Sequence, residues 1–194
     1  MVVQTYADVF RPAERTLARV YNLALIIGGS LFIALMSQLA IRLPFTPVPV
    51  TGQTFAVLLI GMLYGSRMGA ATVLAYLSEG LMGLPVFANG SAGLAYALGP
   101  TGGYLIGFVP AAYMAGFLAE KGWHRRIGTT LLALIVADAF IFLFGVAYLS
   151  TFSGVGSALH LGLLPFIPGN LLKIALVAFL LPTGWKMIHR QKSR

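Results

Sequence analysis

The sequence predicts an all-α integral membrane protein, one domain over residues 1–194 with six transmembrane helices. Three observations carry that prediction. Hydrophobic residues make up 58% of the 194 residues and charged residues 9%, where a soluble domain carries about 25% charged residues. The mean hydropathy is +0.87, and the apolar residues gather into stretches suited to crossing roughly 30 Å of hydrocarbon. Eleven of the thirteen Lys and Arg residues fall in segments that can share one side of a membrane; Arg42 and Lys173 stand apart.

Taken in order, the stretch from Pro12 to Arg19 reads either as a short helix at the inner surface, with Pro12 in its first turn, or as a solvated tail. The first span is placed from Val20 to Leu43; it lacks a small-residue cleavage site, so it is expected to stay in the protein and not be removed as a signal peptide. The second, Thr51 to Tyr64, is short and follows Pro44, Pro47 and Pro49. It is therefore the span expected to be tilted, interrupted or shielded from lipid. The remaining four are placed at Met68 to Leu84, Thr101 to Ala119, Ile127 to Leu149 and Gly169 to Trp185. Arg11, Arg15, Arg19, Arg67, Lys121, Arg125, Arg126, Lys186, Arg190, Lys192 and Arg194 then lie on one side. The positive-inside rule makes that side the cytoplasm, with both termini inside. The two halves show no repeat of the kind that marks inverted-repeat transporters.

Three Gly- and Pro-rich segments fall on the outer side of this topology: PFTPVPVTGQT (44–54), GLPVFANGSAG (83–93) and PFIPGN (165–170). Irregular backbone at membrane depth survives only where protein buries it or where it lines a cavity, so the three predict one outward-facing pocket. Beside it, Asn170 and Lys173 stand at i and i+3 on one helix face. A lysine in an apolar run lines a cavity with a partner, or snorkels to the interface. An ammonium beside an amide suits a small amphipathic ligand bearing a carboxylate or a polar ring. Glu79 is read as a partner of Lys173 or as an independent carboxylate on the pocket rim. Tyr104 is placed to send its ring and hydroxyl into the pocket. Asp138, in mid-span, is read as a structural hydrogen-bonder or as a proton relay. Small residues recur at four-residue spacing at Ala24 and Gly28, Ser30 and Ala34, Ala111 and Ala115, and Ala112 and Gly116, a pattern that allows close helix packing within the bundle or against another membrane protein.

The same composition excludes several classes. There is no cysteine, and His124, His160 and His189 are scattered, so neither a metal site nor a cofactor is expected. Basic residues flank apolar spans and form no aromatic-interleaved patch, which argues against nucleic acid. GPTGGYLIGF (99–108) lacks the Lys and Ser/Thr of a nucleotide-binding loop, so no ATPase activity is expected. Ser153, Ser157 and His160 raise the question of an intramembrane serine protease, but they crowd one outer connection, while a nucleophile and base would need mutual hydrogen-bond geometry. The chain is not expected to be an enzyme.

Four ordered motifs, PFTPVPVTGQTFAVLLIGMLYG, YLSEGLMGLPVFA, GPTGGYLIGF and PFIPGNLLK, resemble the BioY family, the biotin-binding S components of energy-coupling-factor (ECF) transporters of prokaryotic cell membranes. The resemblance covers roughly Ser30 to Lys173 and implies a six-helix bundle that captures biotin from outside, with the loop Arg42 to Val50 capping the site. It carries over Lys173, Asn170 and Asn89 as ligand contacts, with Tyr104 and Gln53 beside them. It also implies partners: a transmembrane coupling protein, met by Ala24, Gly28, Ser30 and Ala34 on the first helix, and two cytoplasmic ATPases. A facilitator working without ATPases is the alternative it leaves open. One departure stands out: the family commonly has Pro-Gly-Asp where this chain has Pro-Gly-Asn at Asn170. That predicts that a carboxylate able to pair with Lys173 or accept from the ureido nitrogens is missing, so that binding is weakened or Lys173 is left to pair with the ligand carboxylate or Glu79.

Overall fold

The structure, a computed structural model, describes residues 5–192 and the side chains as far as Met187. Arg194, counted above among the inner charges, lies outside the described residues, as do the side chains of His189, Arg190 and Lys192. The chain opens on helix α1 (Tyr6–Val9), which Thr5 and Asp8 close with a reciprocal capping box. Pro12 stays outside any helix. Helix α2 (Arg15–Gln38) instead starts at Arg15 and takes Arg19 into its second turn, so neither the separate surface helix nor the solvated tail read at 12–19 holds, and Arg15–Arg19 form the inner end of the first span.

That span ends at Gln38, five residues before its expected end at Leu43. Pro44 disfavours helix at the residue before it, and the chain turns into β1 (Ala40–Ile41), which pairs antiparallel with β2 (Val50–Thr51). This short ribbon fixes both ends of the loop 42–49. Helix α3 (Gln53–Tyr64) follows, then Gly65, whose φ of 84° is the left-handed turn that starts α4 (Ser66–Leu81). At 12 residues α3 rises roughly 18 Å, too little to cross hydrocarbon unaided. Every one of its residues is buried or half-buried, so it is shielded from lipid as expected. A short helix α5 (Gly93–Ala97) leads to α6 (Gly102–Glu120), then α7 (Ile127–Ser153), α8 (Val155–Gly162) and α9 (Ile167–Lys192). Helix α8 lies where the sequence reading placed a connection; Gly154 at φ 79° breaks α7 from it. The six spans are α2, α3, α4, α6, α7 and α9. Those at α2, α6, α7 and α9 are long and apolar enough to cross a membrane.

Helix α6 is the hub. Ala111, Ala112, Ala115 and Ala119 are fully buried against α3, α4 and α7, and a side chain at Gly61 of α3 would come within 2.6 Å of the Ala112 carbonyl oxygen. Backbone approach of this kind, allowed by small residues, is what holds helices together in lipid. The surface carries the opposite character: Leu23, Ile27, Leu31 and Leu35 of α2 and Leu172, Leu176 and Phe179 of α9 are exposed, as lipid-facing residues should be.

At one end of the bundle α1, the turn Trp123–Arg125 and the second half of α9 meet. The Tyr6 hydroxyl donates to the Leu181 carbonyl, and the Trp185 ring packs edge-on against Tyr6 at 5.2 Å and His124 at 4.7 Å. This groups the N-terminal segment, the 121–126 connection and the end of the last helix, as two cytoplasmic termini require. His124 is fully buried; its Nδ1 donates to the Ala119 carbonyl at 2.8 Å, and its Nε2 has no hydrogen-bond partner among the described residues. Burial, helped by the neighbouring Arg125 charge, holds this imidazole below the usual histidine range, against the opposing effect of the Ala119 bond. A depressed folded value means that the unfolded chain takes up the proton first. Stability contributed here is full above the ordinary histidine value near 6.5 and is lost as pH falls from there toward the lowered folded value. The melting temperature of the purified protein is expected to drop across that window, and His124→Phe is expected to flatten the dependence.

Candidate functional site

The site is built where α3, α6, α7 and α9 converge beneath the loop 42–49. A 3-10 turn (Leu164–Phe166) runs directly into α9, with Pro168 in the first turn, where a missing N–H costs nothing. Two helical positions on, the side chains of Asn170 and Lys173 share one face. Lys173 Nζ donates to the Thr51 carbonyl at 2.7 Å, Thr54 Oγ1 at 2.9 Å and Asn170 Oδ1 at 3.1 Å. An ammonium has three N–H bonds, and all three are used. The snorkelling alternative fails on this geometry, since the amine reaches inward to α3.

Asn170 passes the contact on. Its Nδ2 donates to both carboxylate oxygens of Asp138, each at 3.0 Å. Among the described residues lining the chamber there is no carboxylate, as Pro-Gly-Asn predicts; the nearest one stands behind Asn170, on Asp138 of α7, and bonds Asn170 rather than Lys173. Glu79 is not brought to Lys173. Its Oε1 instead accepts from Ser30 Oγ of α2 at 2.7 Å, and its Oε2 is buried without a partner among the described residues. Glu79 does not line the site.

Lys173 and Asn170 form one end of a narrow cavity of about 40 Å³ that is also lined by Gln53, Thr54, Tyr104, Phe108 and Phe166. Tyr104 does present its ring there, but its hydroxyl is engaged by the Gly162 carbonyl at 2.7 Å. Gln53 is held from two sides, accepting from Thr51 Oγ1 at 3.0 Å and donating to the Tyr76 hydroxyl at 2.5 Å. Asn89 is not part of this inner chamber. It stands in the turn Ala88–Gly90 with φ 57°, a left-handed position that Asn tolerates, and lines an outer vestibule of about 470 Å³ with Arg42, Thr46 and Ser91. Pro49, Tyr96 and Thr101 line both spaces and form the junction between them.

The rim is tied down selectively. Gln38 accepts from the Gly90 N–H at 2.9 Å and donates to the Phe87 carbonyl, while Ser37 and Tyr76 both donate to the Val86 carbonyl. Phe87 stacks on Tyr96 at 5.4 Å. The loop 42–49 is pinned more lightly, by Thr46 Oγ1 donating to the Leu161 carbonyl at 2.7 Å. Sequence reasoning missed Thr51, Thr54, Tyr96 and Thr101. The first two sit inside PFTPVPVTGQT, but one contributes a carbonyl, which no side-chain pattern reveals.

On the first helix the structure divides the proposed contact set. Ser30 and Ala34 are 0% and 9% exposed inside the bundle, so they are withdrawn as partner contacts. Ala24 and Gly28 are exposed, and Gly28 has no neighbouring atom where a side chain would begin. Ala111, Ala112, Ala115 and Gly116 are all internal.

A family model described as the BioY family matches residues 11–190. The chain is 42% identical over 147 residues to a probable biotin transporter BioY of Pyrococcus horikoshii, covering 75% of this chain and 86% of that one. It is 37% identical over 161 residues to the biotin transporter BioY of Thermotoga maritima, with 80% and 92% covered. The biotin transporter BioY of Rhizobium etli is 35% identical over 160 residues, with 78% and 86% covered. Among solved structures, the S-component for biotin from an ECF-type ABC transporter superposes with a TM-score of 0.77 at 29% identity, over 90% of this chain and 95% of that one.

Proposed function

The chain belongs to the BioY family, and from that premise we propose that it is the biotin-binding membrane subunit of an ECF-type vitamin importer of a prokaryotic plasma membrane. The observation that carries the reading is Lys173, fixed by three oxygen acceptors at the inner end of a cavity that opens outward through a vestibule. Because its donors are already saturated, this end favours the neutral, hydrogen-bonding ureido ring over an anion. The apolar walls at Phe108, Ile141 and Phe166 take the thioether ring and chain, and the carboxylate points outward to the vestibule holding Arg42 and Asn89. A chamber of about 40 Å³ is far below the roughly 300 Å³ or more of a small-molecule site, so entry requires the loop 42–49 to lift. No nucleotide-binding loop is present in the sequence, and the energy for release comes from partners, a coupling protein and two ATPases.

The test is calorimetric titration of biotin into the purified chain. Saturable one-site binding is the expected result, and its absence in a folded preparation would sink the reading. Thr46→Val keeps the shape of the loop residue while removing its bond to Leu161. Losing one hydrogen bond of about 0.5–1.5 kcal/mol from the cap alone is expected to speed biotin release roughly two- to tenfold, read by stopped-flow displacement.

A further inference from the structure

We propose that Asp138 is a positioning residue of the ligand site, the counter-charge that locks the Asn170 amide with its oxygen toward Lys173. The inference rests on the biotin-binding reading for its affinity test but not for its geometry. A carboxylate only accepts and an ammonium only donates. An asparagine between them therefore has one satisfied orientation, NH2 to Asp138 and oxygen to Lys173, and that is the orientation observed.

Among the described residues, Asn170 is the side chain that hydrogen-bonds Asp138. Asp138 sits in the middle of α7, where its other face borders a groove of about 630 Å³ between α7, α8 and α9. Apart from Asp138 and Asn170, the lining of that groove is apolar, including Leu143, Val146, Leu163 and Leu171. Ile135, Leu143 and Leu171 on its walls are exposed on the outside of the bundle, so a carboxylate in this apolar setting needs an internal partner. Asn170 reaches both the groove and the inner chamber and is the bridge between the two charges. With Asp138 the inner end of the site is neutral overall and Lys173 is immobilised. Without it the amide is free to turn, and an unbalanced ammonium faces the ligand.

The same geometry makes position 170 dependent on position 138. A carboxylate at 170 alone would face Asp138 across a hydrogen-bond distance, so Asn170→Asp by itself is expected to weaken the site. Exchanging both residues restores one carboxylate, one amide and one ammonium.

The experiment compares wild type, Asp138→Asn, Asn170→Asp and the double exchange, full-length in detergent, with two readouts. The first is biotin affinity. Asp138→Asn is expected to weaken it roughly 10- to 100-fold, as loss of hydrogen bonds to a buried charged group does, and the double exchange to return it to within about threefold of wild type. The second needs no ligand: the acylation rate of Lys173 by acetic anhydride, read by peptide mass spectrometry with Lys121 and Lys186 as internal references. It is expected to rise several-fold in Asp138→Asn and to fall back in the double exchange. If wild type binds no biotin, the transport reading fails, and the acylation rates still decide the positioning role. Unchanged acylation in Asp138→Asn overturns the proposal, as does a folded double exchange that rescues neither readout.

Discussion

Lys173→Ala is expected to weaken biotin binding on the order of 100-fold. The substitution does more than delete a ligand contact. It removes the donor shared by the Thr51 carbonyl, Thr54 Oγ1 and Asn170 Oδ1, and it leaves Asp138 as an unbalanced charge in mid-span. A hydrogen bond to a charged group is worth about 1.5–3 kcal/mol, and if about 2.7 kcal/mol of the loss of all three falls on the ligand-bound state the affinity drops on the order of 100-fold. Lys173→Met keeps the stem and lacks the charge, so it separates packing from electrostatics. It is expected to recover thermal stability better than Lys173→Ala without recovering binding. Titration calorimetry and melting on the same preparations read both. A variant that binds as wild type does would remove Lys173 from the site altogether.

Much of this was legible before the structure, for a physical reason. In a membrane, composition and charge asymmetry act over whole segments, so six spans and two inner termini follow from long averages that local errors do not disturb. The boundaries that moved are the ones such averages do not set. The first helix ended early because Ala40 and Ile41 pair with Thr51 and Val50, a contact across the loop 42–49 that no local pattern announces. Helix α8 was hidden because eight residues are too few to separate a helical period from a Gly-rich connection. The site divided in the same way. Asn170 and Lys173 were readable because their i, i+3 spacing lies within one helix. Asp138 joins them across 32 positions of chain, and no spacing rule connects residues on different helices. Glu79 was misplaced for the same reason: Ser30, which takes its charge-assisted bond, stands on another helix 49 positions away.

The small-residue pattern hid a further division, and it gives the second large expected effect. Gly116 and Gly28 look alike in sequence, each four residues from an alanine. A side chain at Gly116 would run into the backbone of Gly65 and Ser66, where α3 turns into α4. Backbone cannot rotate away as a side-chain tip can. Gly65 is itself held in a left-handed turn, and Glu120 of α6 accepts from both the Ser66 N–H and its hydroxyl within 2.8 Å. Gly116→Val is therefore expected to destabilise the bundle by about 3 kcal/mol or more, seen as a large fall in melting temperature and loss of folded yield, with binding lost only in proportion to folded protein. Gly28 faces outward with open space, between the exposed Leu23, Ile27 and Leu31. Gly28→Leu should leave melting and biotin affinity unchanged while lowering biotin uptake in cells that contain the coupling partners, by about tenfold if 1.4 kcal/mol of association is lost. Unchanged uptake would mean that this face of α2 meets only lipid. A fall in binding as well would mean that Gly28 supports the bundle and not a partner.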